Sequence, residues 1–257
     1  MGKIIVVGNQ KGGVGKTAIS VNLAFYLNRL GYKVLVVDGD AQGNSTETLT
    51  KTPEGIPLEL YGHTYADLFG SVIDDVKVMK LPRGIDLLHT PSNDALLSEK
   101  MQLTLDEATM PQRNLRKLFA AYDYVVMDSP PSLGSVLFSL LVMADHVFIP
   151  VRVSSFASTG AAGLLQTAIG IQREHNPRLK ISGIVINFFK PTSIENQRSY
   201  EFLRQELGDM LLSNIIIDRT PIDTAIEYGV PIKELNYAHV AAREVDAVLA
   251  EMMERVS

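Results

Sequence analysis

Seven short runs rich in β-branched residues are spaced along this chain, and most are apolar at every position instead of every second one. They are Lys3–Val7, Lys33–Val37, Ile85–His89, Tyr124–Met127, His146–Val151, Ile181–Ile186 and Asn214–Ile217. A strand that is apolar on both sides needs cover on both sides, which is the situation in a parallel sheet. Helical patterns fill the intervals. Between the first two runs Ile19, Leu23, Leu27 and Leu30 recur at helical spacing, and Gly31 stands where a helix end favours positive φ. The alternation predicts an α/β fold: a doubly wound, mostly parallel sheet with helices on both faces and right-handed crossovers. Residues 43–84 break the rhythm with turn-rich sequence (Thr52-Pro53-Glu54-Gly55-Ile56-Pro57) and a short helix near Tyr65–Phe69. This stretch reads as an excursion over the sheet edge. With no repeat, low-complexity tract or linker, residues 1–257 are read as a single domain.

At 257 residues and 46% hydrophobic content the chain is long and apolar enough to bury a full core. It contains no cysteine, which excludes disulfides, thiolate zinc sites, a cysteine nucleophile and protein-held iron–sulfur clusters. A net charge of −5 excludes a globally basic nucleic-acid binder but leaves room for a local basic face. No stretch approaches the roughly 18 apolar residues of a spanning helix, and the apolar run after Met1 is too short for a signal peptide. A soluble, cytoplasmic protein is expected.

The first strand runs into Gly8-Asn9-Gln10-Lys11-Gly12-Gly13-Val14-Gly15-Lys16-Thr17-Ala18, and a helix starts directly afterwards. Glycines let successive backbone N–H groups curl around phosphate oxygens, and the helix N-terminus adds its positive end. Lys16 is placed to reach the β- and γ-phosphates, and the Thr17 hydroxyl to ligate Mg²⁺. Gln10 stands where the common G-x-x-x-x-G-K-[ST] pattern has glycine. What remains, Lys-Gly-Gly-x-Gly-Lys-Thr, resembles the deviant Walker A box of the ParA/MinD family of ATPases, whose additional lysine Lys11 matches. Two further segments resemble the family: Asp38-Gly39-Asp40-Ala41-Gln42-Gly43-Asn44 its switch I, with alanine in place of proline, and Asp128-Ser129-Pro130-Pro131-Ser132-Leu133-Gly134 its Walker B and switch II. Ala144–Val151 and Ala225–Pro231 match in style, so the likeness covers nearly the whole chain.

The resemblance implies a P-loop ATPase of the short class that uses ATP and Mg²⁺. Gly12, Gly13, Val14, Gly15, Lys16, Thr17 and Ala18 would hold the phosphates, Asp128 the Mg²⁺ through a water, and Asp40 the attacking water, with Asp40 a further possible metal ligand. Asp38 either supports switch I or Mg²⁺ or is a structural hydrogen-bonding group. Lys11 would cross to a partner's phosphates in an ATP-state homodimer. Asn187 would read adenine through its amide, or else is a turn former at a strand end. No Asn-Lys-x-Asp or Thr-Lys-x-Asp guanine-reading element occurs, so ATP is preferred over GTP.

After the sixth strand the family often carries Asp-x-Arg-Thr, whereas this chain reads Phe188-Phe189-Lys190-Pro191-Thr192. Lys190, Arg198, Arg204 and Arg219 remain nearby, and form either a face for non-specific DNA contact or unrelated solvated charges. The last helix has Ala241, Val245, Val248, Met252 and Val256 on one stripe and an acidic polar face, which predicts packing on the sheet and no membrane attachment. The resemblance thus implies an ATPase that partitions a plasmid or chromosome, or positions a protein assembly, with a ParB-like or cargo-adaptor partner, in association with the nucleoid. The other reading is an ATP-dependent protein-binding switch that does not bind DNA.

Overall fold

The computed structural model describes residues 2–52, 54–153 and 160–257, so Pro53 of the turn-rich stretch lies outside the described residues. Among the described residues seven strands and ten α-helices follow one another as β1 Lys3–Val7, α1 Lys16–Arg29, β2 Val34–Asp38, α2 Asn44–Leu49, β3 Met79–Lys80, β4 Ile85–Leu88, α3 Ala95–Glu99, α4 Leu105–Ala108, α5 Met110–Phe119, β5 Tyr124–Asp128, α6 Ser135–Met143, β6 His146–Arg152, α7 Gly160–Glu174, β7 Lys180–Asn187, α8 Ile194–Leu207, α9 Thr220–Tyr228 and α10 His239–Val256. The strands form one sheet in the order β3-β4-β2-β5-β1-β6-β7, parallel throughout except for β3, which pairs antiparallel with β4 at the edge. The doubly wound, mostly parallel α/β fold expected from the apolar runs is the fold observed.

Continuous apolar strands supply two cores at once, because successive side chains point to opposite faces. Ile4 and Val6 of β1 join the core covered by α5, α6 and α7, while Ile5 and Val7 join the one covered by α1, α9 and α10. On the second face Ala241, Val245, Val248, Met252 and Val256 of α10 are all buried, as the stripe predicted. Among the described residues no helix is long and apolar enough to cross a membrane.

Three expectations need adjusting. Asn214–Ile217 is not a strand of the sheet; it meets its neighbour only through an isolated Phe189–Ile217 bridge and a few backbone bonds, such as Ile216 N–H to Ile186 O at 2.9 Å. The reason is competition: Glu251 of α10 takes the N–H groups of Ser213 and Asn214 at 2.7 and 2.8 Å, turning this end away from β7. The excursion over residues 43–84 contributes the two-residue β3, which no apolar run announced, and the helix near Tyr65–Phe69 is a 3₁₀ turn at Ala66–Phe69. Leu30, counted on the α1 stripe, is instead the exposed C-cap.

The end of α1 follows the predicted geometry. Gly31 has φ +87°, its N–H reaches Asn28 O at 2.9 Å, and the Tyr32 N–H reaches Leu27 O at 3.2 Å, a Schellman closure. A Cβ at Gly31 would meet nothing within 4 Å, so only backbone conformation is at stake. Gly31→Ala should lower the unfolding free energy by about 1 kcal/mol, and Gly31→Asn by less, in urea titrations.

Candidate functional site

The strand order places β1 between β5 and β6, so the loop after β1 opens at the carboxyl edge of the sheet, where the chain's winding reverses direction. Asn9 fixes the start of this loop: its amide donates to Pro150 O at 2.7 Å and its Oδ1 accepts the Lys11 N–H at 2.9 Å. Gln10, the departure from the glycine pattern, extends its side chain onto α7, where the bare backbone of Gly163 leaves space for it. Gly12 and Gly13 border open space, and Lys11 is exposed. Gly15 N-caps α1 with φ +86°. A side chain there would collide with the Asn187 amide and come within 2.9 Å of the Phe188 ring. Only glycine suits both the angle and the space.

Lys16 is buried at the start of α1. Burial pulls its ammonium below the ordinary lysine value, and Asp128 and Asp40 pull it back up. Asp128, at the end of β5, is fully buried and receives three hydroxyls: Thr17 at 2.6 Å and Ser45 at 2.8 Å on Oδ2, and Ser20 at 3.2 Å on Oδ1. Burial raises its pKa, opposed chiefly by the Thr17 hydroxyl and Lys16.

Asp38 ends β2 directly beside Asp128, its register partner in β5. Its carboxyl accepts the Thr46 N–H and hydroxyl, both at 2.8 Å, and the Asp40 N–H at 3.2 Å. Burial, and then the neighbouring Asp128 carboxylate, push its pKa up to about 8. Asp40 is also raised by burial, against the Gln42 N–H and Lys16. Its Oδ1 accepts the Gln42 N–H at 3.0 Å and its carbonyl accepts the Gly43 N–H at 2.9 Å, so Asp40 closes the turn in which Ala41 replaces proline.

Asp128 and Asp40 thus face one buried ammonium, with the Asp38 carboxyl held against Asp128. Thr17 and Asp128 offer oxygen donors in contact with each other, and no group of three or more His, Asp or Glu among the described residues forms a metal cage. This donor set fits Mg²⁺, which keeps its waters and takes one or two protein oxygens plus phosphate. Thr17 and Asp128 would hold it, and the ion would supply charge neutralisation at the phosphates.

Asn187 is buried at the end of β7; its Nδ2 donates to Val14 O at 2.9 Å and its Oδ1 accepts the Phe188 N–H at 2.9 Å. It ties β7 to the phosphate loop, with one amide hydrogen and one lone pair to spare. Ala18, Thr17, Gly13 and Gly15 line a cavity of about 470 Å³ that continues past Phe188 to Asp223 and Ile226. That volume is within the range of small-molecule sites.

The four cations proposed for DNA fall into two groups, two in ion pairs and two on α8. Lys190 pairs with Asp218 at 3.3 Å, and Arg219 holds Glu244 through two bonds of 2.7 and 2.8 Å. The Phe189–Ile217 bridge keeps these two pairs together. Arg198 and Arg204 are exposed on α8, six residues and therefore about 240° of helix rotation apart.

Sequence reasoning missed Asn9, Ser20, Ser45, Thr46 and Thr90. Ser20 lies one helical turn beyond Lys16, a spacing that carried a usable signal. Thr90, which donates to Asp38 O at 2.6 Å, comes from β4's exit and carried none.

The raised Asp38 value has a definite sign. The folded chain holds this proton more tightly than the unfolded one, so the stability it contributes is complete below about pH 4 and is lost as pH rises towards 8. Buried Asp128 acts in the same direction. The urea midpoint of the nucleotide-free protein should fall across that interval, and Asp38→Asn should flatten the fall.

Comparison with known proteins agrees with this geometry. A family model described as an AAA domain matches residues 2–181. The chain is 32% identical to the sporulation initiation inhibitor protein Soj of Bacillus subtilis, over 90% of each chain. It is also 32% identical to the chromosome-partitioning ATPase Soj of Thermus thermophilus, over 98% of this chain and 96% of that one. Its fold matches the crystal structure of a putative plasmid partition protein from Borrelia burgdorferi bound to AMPPNP, with a TM-score of 0.79 at 23% identity over 99% of this chain and 100% of the other. Phosphate loop, buried carboxylates and full-length relatives converge: the chain belongs to the Soj/ParA family of P-loop ATPases.

Proposed function

We propose that this chain is an ATPase that dimerises in its Mg-ATP state, binds DNA non-specifically, and partitions or positions a cargo with a ParB-like or adaptor protein that stimulates hydrolysis. The cargo is a plasmid, a chromosome or a protein assembly, and residues 1–257 act as one domain in a nucleoid-associated cytoplasmic protein. The observation that carries this reading is the pairing of a buried Lys16–Thr17–Asp128 cradle with an exposed Lys11 on the same loop. The name of the Thermus relative supports the partition role.

Within that reading Gly12 to Ala18 hold the phosphates, and Lys16 lies against the β- and γ-groups. Asp40 orients a water that attacks the γ-phosphorus in line as its bond to the bridging oxygen breaks, giving ADP and phosphate. Positioning and charge neutralisation suffice for this step. Lys11 is exposed on the loop, and a second copy facing it would take its charge to the opposite nucleotide. Asn187 has the spare donor and acceptor to meet the adenine edge.

The ion pairs at Lys190 and Arg219 favour a second reading, an ATP-dependent protein-binding switch without DNA, because two of the four cations are already neutralised. Static light scattering with Mg-ATP tests the dimer. Asp40→Ala should bind ATP and accumulate as a dimer with hydrolysis lost, and Lys11→Ala should remain monomeric. A Lys11→Ala protein that dimerises like the parent removes the trans role. DNA binding is tested by titration against salt. Arg219→Glu should weaken binding to all duplexes alike and flatten the slope of log K against log salt by about 0.9. An ATP-bound dimer with no DNA affinity at low salt assigns the chain to the second reading.

A further inference from the structure

Phe188 is one of two non-glycine residues with positive φ among the described residues, at +55°. Such a backbone is uncommon for an aromatic residue, and strain of this kind persists where the surroundings enforce it, often beside ligand sites. Here the enforcement is visible. The Phe188 N–H is held by Asn187 Oδ1 at 2.9 Å, the Arg152 guanidinium lies 4.4 Å from the ring centroid, and the ring edge lies against the bare backbone of Gly15. Phe188 is also only half-buried and lines the cavity that begins at Gly13, Gly15 and Thr17. Its neighbour in sequence, Phe189, is buried and packs in the core beside Tyr200. The turn therefore separates two adjacent phenylalanines, one for the core and one for the cavity.

We infer that Phe188, backed by Arg152, is the platform on which the nucleotide base stacks. The inference rests on the ATP-binding reading of the same cavity. The cavity is lined by the loop glycines and Thr17 and also by Phe188, Asp223 and Ile226, so a base attached to phosphates held by the loop lies within reach of the Phe188 ring. A guanidinium over one face polarises and immobilises the ring, so the platform is formed before the ligand arrives. Stacking accepts any base, because every base has a π-face. Phe188 therefore contributes affinity without discriminating between adenine and guanine.

The test compares three ligands on the full chain by calorimetry in the presence of Mg²⁺: ATP, GTP and inorganic tripolyphosphate, which has no base. Phe188→Asn keeps a residue type suited to the left-handed conformation while removing the ring; Phe188→Leu keeps apolar bulk against Gly15 and guards against a folding failure of the first. Both should weaken ATP and GTP about tenfold, by the same factor for each, and leave tripolyphosphate unchanged. Phe188→Trp should retain or tighten ATP. Unchanged ATP affinity in Phe188→Asn and Phe188→Leu overturns the inference. So does an equal loss for tripolyphosphate, since the ring would then act by shaping the phosphate loop. If the parent binds tripolyphosphate as tightly as ATP, the base has no platform and the inference fails while the phosphate cradle stands. If it binds neither, the ATPase reading itself fails.

Discussion

A single buried carboxylate organises the carboxyl edge of this molecule. Asp128 sits at the end of a central strand with no solvent contact, and its two oxygens receive hydroxyls from Thr17 and Ser20 of α1 and Ser45 of α2. An unpaired charge in that position would be severely unfavourable, so the elements around it have to bring donors. The phosphate-loop helix and the switch I helix are fixed relative to β5 by this demand. Lys16, buried beside them, supplies a compensating cation.

The same arrangement leaves the site poised. Asp38 and Asp128 stand side by side in register on adjacent strands, and their mutual repulsion adds to burial in raising Asp38. Asp40 faces the same ammonium. A region holding Asp128 and Asp40 against one lysine, with Asp38 crowded beside Asp128, gains from a divalent cation brought with phosphates. Switch I is not independent of the rest. Thr46 donates twice to Asp38, and the Thr90 N–H donates to the Thr46 hydroxyl at 3.0 Å, so hydrogen bonds tie Asp38 to the exit of β4. The Asp94 N–H on Ala41 O at 2.8 Å extends this connection to the start of α3.

On the other flank Asn187 and Phe188 close the loop against β7. Their dependence on Gly15 is mutual, since any side chain on that glycine would displace both. The phosphate loop is thus held from two directions, by Asp128 under α1 and by the β7 turn beside it. The cations suggested for DNA lack such organisation. Lys190 and Arg219 are engaged with carboxylates of their own chain, and α8 presents Arg198 and Arg204 on different sides.

What the sequence determined by itself was local. Two-sided apolar runs implied buried parallel strands, and the glycine-rich turn between a strand and a helix implied a phosphate loop. Positive-φ glycines at residues 15 and 31 marked the two ends of α1. Each of these follows from the periodicity or conformational range of a few neighbouring residues, which the sequence states directly. Tertiary structure decided whatever depends on partners far apart in the chain. Asp38 meets Asp128 because β2 pairs with β5, and Asn187 reaches Val14 because β7 ends beside the loop. Asn214–Ile217, apolar enough for a strand, loses its ladder to Glu251, and Arg219 is paired with Glu244. A side chain's propensity is carried by its own chemistry, but its partner is chosen by the crossovers that bring distant elements together.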